Sequence, residues 1–341
     1  MKKILYGLIY CMLHTTLTLA NAEKIIYIVP AIDTPTNGGL FAPKEFNDSR
    51  RRFIALKEVA QRKGYTLQAT KDISDKKNVV AVVVFTTMHI NQKLLQNLQQ
   101  YPKRKRILFL SESPLLQGWA HDSSITKHWG KVFTVLDNFV DNKKFFKYYY
   151  PQSSLQMIGD IPPFEQKKFC TLIAGNKDFC SKNKDGLYVQ RRKTIKFFED
   201  LHTNEFDLYG IGWNKKKNPS YQGAIKNKTE TLKHYKFCIC YENIKNTYGY
   251  ISEKIFDCLI AGCIPIYWGA ANVTSYIPKN CFIDRRAFNS LSDLYRFLKK
   301  MNEDTYNQYL VNIRKFLNSE KVNKFSINHF TKTFLNAVEK P

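Results

Sequence analysis

The chain has 341 residues, enough for two ordinary domains, each with its own core. Hydrophobic residues make up 44% of it and aromatic ones 14%, which excludes collagen-like and low-complexity classes. A formal net charge of +24 favours anionic partners: nucleic acid, an anionic membrane surface or a phosphate-bearing ligand. The basic residues are spread out, with short runs at Lys103–Arg106, Arg191–Lys193 and Lys215–Lys217. No recognition-helix or RNA-binding signature accompanies them, so the expectation is a solvated surface that favours anions, without a nucleic-acid partner.

Residues 1–22 begin with Lys2-Lys3, pass through an apolar stretch and end in Ala20-Asn21-Ala22. That is the layout of a secretory signal peptide cleaved after Ala22. His14 and the threonines that follow it make the segment a poor membrane span, with an uncleaved signal-anchor as the alternative. The leader points to a secretory pathway or cell envelope. Left uncleaved, it points to membrane association, a cytosol-facing attachment included.

Residues 24–30 (KIIYIVP) read as a buried strand. A helix follows, with Phe53, Leu56, Val59 and Ala60 at helical spacing and Gly64 as its stop. Residues 65–70, 79–87 and 106–113 are strand candidates, with a helical NQKLLQNLQQY between the last two. The alternation predicts βαβ units and a mostly parallel sheet, and the unbroken Val/Ile/Leu runs suit strands covered on both faces. The rhythm is lost over 148–168, where Pro162-Pro163 marks a linker.

A second series follows: strands at 169–175, 206–212, 236–242 and 263–268, with helices at 188–202 and 253–261. Three helical stretches close the chain from Asn289 onward. The predicted fold class is α/β, with two Rossmann-like domains facing a ligand cleft near the carboxyl ends of the strands. The boundaries drawn are 23–160, 161–320 and a helical tail over 321–341.

Of eight cysteines, Cys11 lies in the leader, and the remaining odd number argues against a fully paired framework. Cys238 and Cys240 alternate along one strand and read as small buried residues rather than metal ligands. Cys170 and Cys180 could pair in an oxidising compartment.

The densest polar cluster is CYENIKNTYGYISEKIFDCLIAGCIPIYWG, Cys240 to Gly269. Its strand ends at Glu242-Asn243, and Ser252 stands as N-cap of a helix that carries Glu253 and Lys254 in its first turn. Ile255, Phe256, Leu259 and Ile260 form the buried face, and Gly262 ends the helix. A helix N-terminus at the carboxyl end of a parallel strand attracts phosphate, and Lys254 adds a full charge. Glu253 can accept hydrogen bonds from the hydroxyls of a ribose, and Tyr250 offers a flat ring. Together they suit a sugar nucleotide. A Ser-Glu-Lys at a helix start is common by itself, and an ordinary capped surface helix is the plainer reading of that tripeptide alone.

Residues 236–288 resemble the signature block of the α1,3/4-fucosyltransferases, glycosyltransferase family 10. The resemblance lies in Phe237…Tyr241-Glu242-Asn243, Tyr250-Ile251-Ser252-Glu253-Lys254, Ile264-Pro265-Ile266-Tyr267-Trp268-Gly269 and Pro278…Cys281-Phe282-Ile283. Tyr241 stands where Phe is usual. The stretches 207–213 (DLYGIGW) and 109–115 (FLSESPL) resemble two further family elements, the latter the one that carries the catalytic base.

The resemblance implies a GT-B fold, with an acceptor-side first domain and a GDP-sugar-binding second one. It implies inverting transfer of L-fucose from GDP-β-L-fucose to a glycan acceptor, usually at O3 of GlcNAc. Such a displacement needs a general base on the acceptor hydroxyl and cations on the departing diphosphate. Glu112 is the expected base, although by itself it reads as a carboxylate before the turn at Pro114. Lys254 and one arginine of 189–193 are the expected diphosphate ligands, with Arg191 favoured over Arg192 by alignment of the helix. Asn243, Tyr250 and Glu253 are expected to line the donor pocket, and Asn176 to approach it.

No metal or other cofactor is required by this chemistry, a divalent ion being at most stimulatory. His121 and Asp122, placed on a strand, would point oppositely and serve the surface or the acceptor side. Two alternatives stand beside this reading: a GT-B transferase of another GDP-sugar, and a non-enzymatic polyanion-binding protein.

Overall fold

The computed structural model describes residues 23–30, 37–42, 50–86, 90, 92–177 and 183–340. The leader and Cys180 lie outside the described residues.

The first half runs β1 (Lys24–Val29), α1 (Arg51–Arg62), β2 (Tyr65–Ala69), β3 (Val79–Thr86) and α2 (Gln92–Gln99). It continues through β4 (Arg106–Leu110), α3 (Pro114–Gln117), α4 (Ser123–Thr126), β5 (Lys131–Thr134) and β6 (Phe145–Lys147). The second half opens with β7 (Lys168–Ile173), α5 (Tyr188–Asp200), β8 (Phe206–Tyr209), β9 (Tyr221–Gly223) and α6 (Lys228–Leu232). Then come β10 (Tyr235–Tyr241), α7 (Glu253–Ile260), β11 (Ile264–Trp268) and β12 (Ile283–Asp284). Three helices finish the fold: α8 (Leu291–Lys299), α9 (Glu303–Leu317) and α10 (Ile327–Glu339).

The strands form two parallel six-stranded sheets, ordered β2-β1-β3-β4-β5-β6 and β12-β11-β10-β7-β8-β9. Both are buried on both faces, as their unbroken apolar runs require. In β3, Ala81, Val83 and Phe85 enter one core with Phe53 and Phe109. Val82 and Val84 enter the other, with Trp129 and Leu98. Phe85, Phe109 and Phe133 stack across neighbouring strands at 4.8 and 4.6 Å. In β10, Cys238 and Cys240 face α7, while Phe237, Ile239 and Tyr241 pack with Ile195 and Phe198 of α5. Cys170 is buried in that second layer, with its thiol free.

The structure adds several short elements to those read from sequence: β5, β6, β9, β12, α3, α4 and α6. Short strands at or near sheet edges carry too few apolar residues to show a period. β4 stops at Leu110 rather than continuing to Ser113, because Pro114 has no N–H to donate to a ladder and opens a helical turn instead. His121 and Asp122 are therefore not on a strand. His121 ends a 3-10 turn and contacts the Thr134 hydroxyl (3.1 Å), and Asp122 caps α4 by accepting the Ser124 N–H. The closing helix is also more than a tail: α10 returns to the first sheet, where Phe334 stacks on Phe85 and Phe330 meets Phe53 edge to face.

Candidate active site

The site assembles where the carboxyl ends of the two sheets face each other. β10 leaves its core at Tyr241 and delivers Glu242 into complete burial. The Glu242 carboxylate accepts the Ser252 N–H (2.9 Å), the Ser252 hydroxyl (2.8 Å) and the Lys254 ammonium (3.2 Å). Ser252 caps α7, its hydroxyl accepting the Lys254 N–H. One carboxylate at a strand end thus fixes the first turn of the next helix. The space it needs is kept by Gly269, where an added Cβ would lie 2.5 Å from Glu242 Cγ and 2.4 Å from the Tyr267 hydroxyl.

Glu253 and Lys254 occupy that first turn. Burial works against the Lys254 charge, but Glu242 and Glu253 outweigh it and raise the pKa. Burial likewise opposes the Glu253 carboxylate, yet Lys254 and Lys228, each 3.9 Å away, bring it down to about 2. Lys228 reaches over from α6 and also pairs with Asp257 at 3.1 Å.

Arg191 projects from α5 and is buried, while Arg192 turns toward the Lys177 carbonyl. The helix phase brings Arg191, and not Arg192, into this cluster. The Arg191 guanidinium donates to the Tyr241 carbonyl (2.7 Å) and to Asn243 Oδ1 (3.1 Å). Burial lowers its pKa. The Asn243 amide donates to the Tyr250 hydroxyl (3.4 Å), and that hydroxyl donates to Glu112 Oε2 (3.4 Å). A single hydrogen-bonded chain therefore runs from α5 of the second half to the turn after β4 of the first. Burial raises the Glu112 pKa, Lys254 opposes that rise, and Glu253 and Glu242 add to it.

All six expected residues, Glu112, Arg191, Asn243, Tyr250, Glu253 and Lys254, come together. Asn176 does not join them: it bonds the Gly212 carbonyl and lines a separate groove of about 690 Å³ with Arg192, Trp213 and Glu199. The space bordered by Arg191, Lys228, Lys254 and Asp257 is only about 30 Å³. Among the described residues, no group of three or more His, Cys, Asp or Glu is arranged to hold a metal ion.

Sequence reading gave no role to Glu242, Lys228 or Asp137. Glu242 had a signal, a carboxylate leaving a buried strand just before a helix cap. The other two had none, since their partners are distant in sequence. Asp137, beyond β5, donates its N–H to the Tyr248 carbonyl (3.1 Å), and its carboxylate accepts from Lys147, Asn272 and Tyr276. Asn272 also accepts the Gly249 N–H (2.9 Å), so the loop that carries Tyr250 is held from both halves. Gly249, at φ +79°, leaves no room for a side chain there: a Cβ would meet Asp137 Oδ1 at 2.3 Å.

The family model for glycosyltransferase family 10 (fucosyltransferase), C-term, matches residues 165–338. That range holds Arg191, Asn243, Tyr250, Glu253 and Lys254 and leaves Glu112 outside. An alpha-(1,4)-fucosyltransferase of Arabidopsis thaliana is 36% identical over 80 residues, 23% of this chain and 20% of that protein. An alpha-(1,3)-fucosyltransferase of Helicobacter pylori is 36% identical over 78 residues, 23% of this chain and 16% of that protein. A 4-galactosyl-N-acetylglucosaminide 3-alpha-L-fucosyltransferase 9 of Mus musculus is 30% identical over 113 residues, 32% and 30% of the two chains. The chain thus spans less than a third of the length of these curated relatives.

Similarity of fold extends further. A crystallised alpha1,3-fucosyltransferase with GDP superposes with TM-score 0.54 at 16% identity, covering 94% of this chain and 92% of that one. An alpha-glucosyltransferase in complex with UDP and DNA gives 0.56 at 9% identity, covering 92% and 99%. The two facing parallel-sheet domains are thus a GT-B fold, and the chain belongs to glycosyltransferase family 10, the fucosyltransferases.

Proposed function

We propose that the protein is an inverting fucosyltransferase that moves L-fucose from GDP-β-L-fucose to a glycan hydroxyl, O3 of a GlcNAc unit. The observation that carries this reading is the chain Arg191–Asn243–Tyr250–Glu112, which joins a diphosphate-binding cation to a carboxylate on the opposite domain. Support for the donor comes from a neighbour of the same fold crystallised with GDP-fucose. Support for the acceptor comes from relatives named as 4-galactosyl-N-acetylglucosaminide 3-alpha-L-fucosyltransferases.

In this mechanism the acceptor oxygen attacks C1 of fucose from the face opposite the diphosphate. Glu112 takes the acceptor proton as the new bond forms. The bond from C1 to the phosphate oxygen breaks, and GDP leaves with its electron pair. Lys254, Arg191 and the free N–H groups of α7 meet the charge that develops on the diphosphate. Glu253 accepts hydrogen bonds from donor hydroxyls, as its ionised carboxylate allows. With those cations in place the reaction needs no divalent ion, which would at most stimulate it.

The test is GDP release from GDP-fucose with N-acetyllactosamine, wild type against Glu112→Gln and Lys254→Ala. Release that requires acceptor and is lost in both variants supports the transferase and both roles. Turnover of another GDP-sugar with fucose inert would overturn the donor. Absence of GDP binding in a titration would overturn the whole reading.

A further inference from the structure

Because every strand of the first sheet is parallel, all its amino ends lie on one pole, opposite the cleft. The residues that lead into those strands are strongly basic. Lys24 begins β1, Lys76-Lys77 precede β3, Lys103-Arg104 precede β4, Lys127 precedes β5 and Lys143 precedes β6, and all are exposed. The neighbouring Lys105 and Arg106 turn inward to backbone carbonyls, so they belong to the fold and not to this surface.

Fewer acids share the pole: Glu23 beside Lys24, and Asp75, Asp141 and Glu339. Asp75 accepts the Lys77 N–H, Asp141 accepts three successive N–H groups from Lys143 to Phe145, and Glu339 pairs with Lys63 at 2.8 Å. Among the described residues, no carboxylate is within ion-pair distance of Lys76, Lys77, Lys103, Arg104, Lys127 or Lys143. The cations are also close enough to feel one another: burial, and then the charge of Lys103, lowers the Lys144 pKa.

This field does not serve the donor. β3 alone is eight residues long, so pole and cleft are roughly 25 Å apart at about 3.3 Å per residue. Salt screens exposed charges over about 8 Å. A second observation says what the pole meets. Left uncleaved, the leader would bring Lys2-Lys3 and the apolar run from Ile4 to Leu13 into the fold at Lys24, on this same pole.

We propose that the basic pole at the amino ends of the first sheet docks on an anionic lipid bilayer and holds the catalytic cleft facing away from the membrane. Cations near such a surface contribute additively while they stay within a screening length of it, and a flat pole presents them together. The proposal is independent of which sugar the cleft transfers.

The test is flotation of the full chain with phosphatidylcholine vesicles, with and without phosphatidylglycerol, at physiological salt. A pole variant carries Lys76→Glu, Lys77→Glu, Lys103→Glu and Arg104→Glu. A control of equal net charge carries Lys216→Glu, Lys279→Glu, Lys300→Glu and Lys315→Glu, all exposed positions in the second half. The pole variant is expected to lose the preference for phosphatidylglycerol by at least about tenfold, since each cation lost at an anionic surface is worth about fivefold. The control is expected to keep that preference, and both variants to keep wild-type GDP release with soluble substrates. Equal loss in both variants would assign the binding to net charge and overturn the proposal. So would undiminished binding of the pole variant, or a pole-dependent preference for duplex DNA over vesicles.

Discussion

In the second sheet, β10 gives way at Tyr241, and the next thirteen residues deliver Glu242, Asn243, Tyr250, Glu253 and Lys254 to one place. In the first sheet, β4 gives way at Leu110 and delivers Glu112 alone. The second-half cluster is built by local folding: a strand end, a capped helix and a buried carboxylate that ties one to the other. The first-half contribution is built by tertiary placement, Glu112 being held, among the described residues, by a long contact from Tyr250. The lesson is that the two halves should fail differently. Loss of Glu112 should remove chemistry and spare binding and fold. Loss of a donor-side residue should disturb at least two of the three.

The largest expected effect is that of Glu112→Gln. A general base contributes about 10²- to 10⁴-fold, so kcat should fall by that factor while GDP affinity stays within about twofold. Stability should move the other way. A carboxyl whose pKa is raised by burial works against folding once it is ionised, above the ordinary carboxylate range. Glu112→Gln should therefore raise Tm at neutral pH, and the gain should vanish in acid, where the native side chain is protonated in both states. A fall in Tm at neutral pH would break the contrast between the two halves.

Lys254→Ala comes next, with kcat down about 10²- to 10³-fold as for loss of one preorganised charge at a leaving group. GDP affinity should fall with it, unlike in Glu112→Gln. Glu242→Ala probes the support beneath. Breaking a buried ion pair costs about 3–5 kcal/mol, and the low end, about 3 kcal/mol, applies because Lys254 keeps 26% exposure. A urea midpoint would read this loss, and GDP titration should show weakened binding as the α7 cap loosens. If Glu242→Ala unfolds like wild type, the motif holds donor and not fold.

How far the sequence went follows the same division. The second-half cluster could be read because Ser252, Glu253, Lys254 and the apolar face of α7 are neighbours in the chain, and periodicity fixes which side of a helix each occupies. The phase of α5 decided between Arg191 and Arg192 only once Tyr241 and Asn243 were seen opposite it. Asn176 was misplaced because two loops, after β7 and after β8, decide where it points. Lys228 and Asp137 left no trace, since an isolated Lys or Asp acquires its meaning from α6 against α7 and from the approach of the two domains. The strand reading of His121-Asp122 failed because Pro114 starts a series of short helical turns that has no hydrophobic period of its own.

The smallest effect tests the one contact that crosses between the halves. Tyr250→Phe removes a hydrogen bond that favours the ionised form of Glu112, so the Glu112 pKa should rise further. Since the base must be ionised, the acid limb of the rate profile should move to higher pH. The plateau rate should change by no more than about fivefold, as expected for one long hydrogen bond worth about 1 kcal/mol. Lys254→Ala should shift the same limb in the same direction and by more, because Lys254 is the strongest influence that opposes burial at Glu112. A limb that stays put in both variants would mean that some other group titrates, and Glu112 would lose its claim to be the base. A limb that moves with Lys254→Ala alone would leave Glu112 as base and reduce Tyr250 to a residue of the donor pocket.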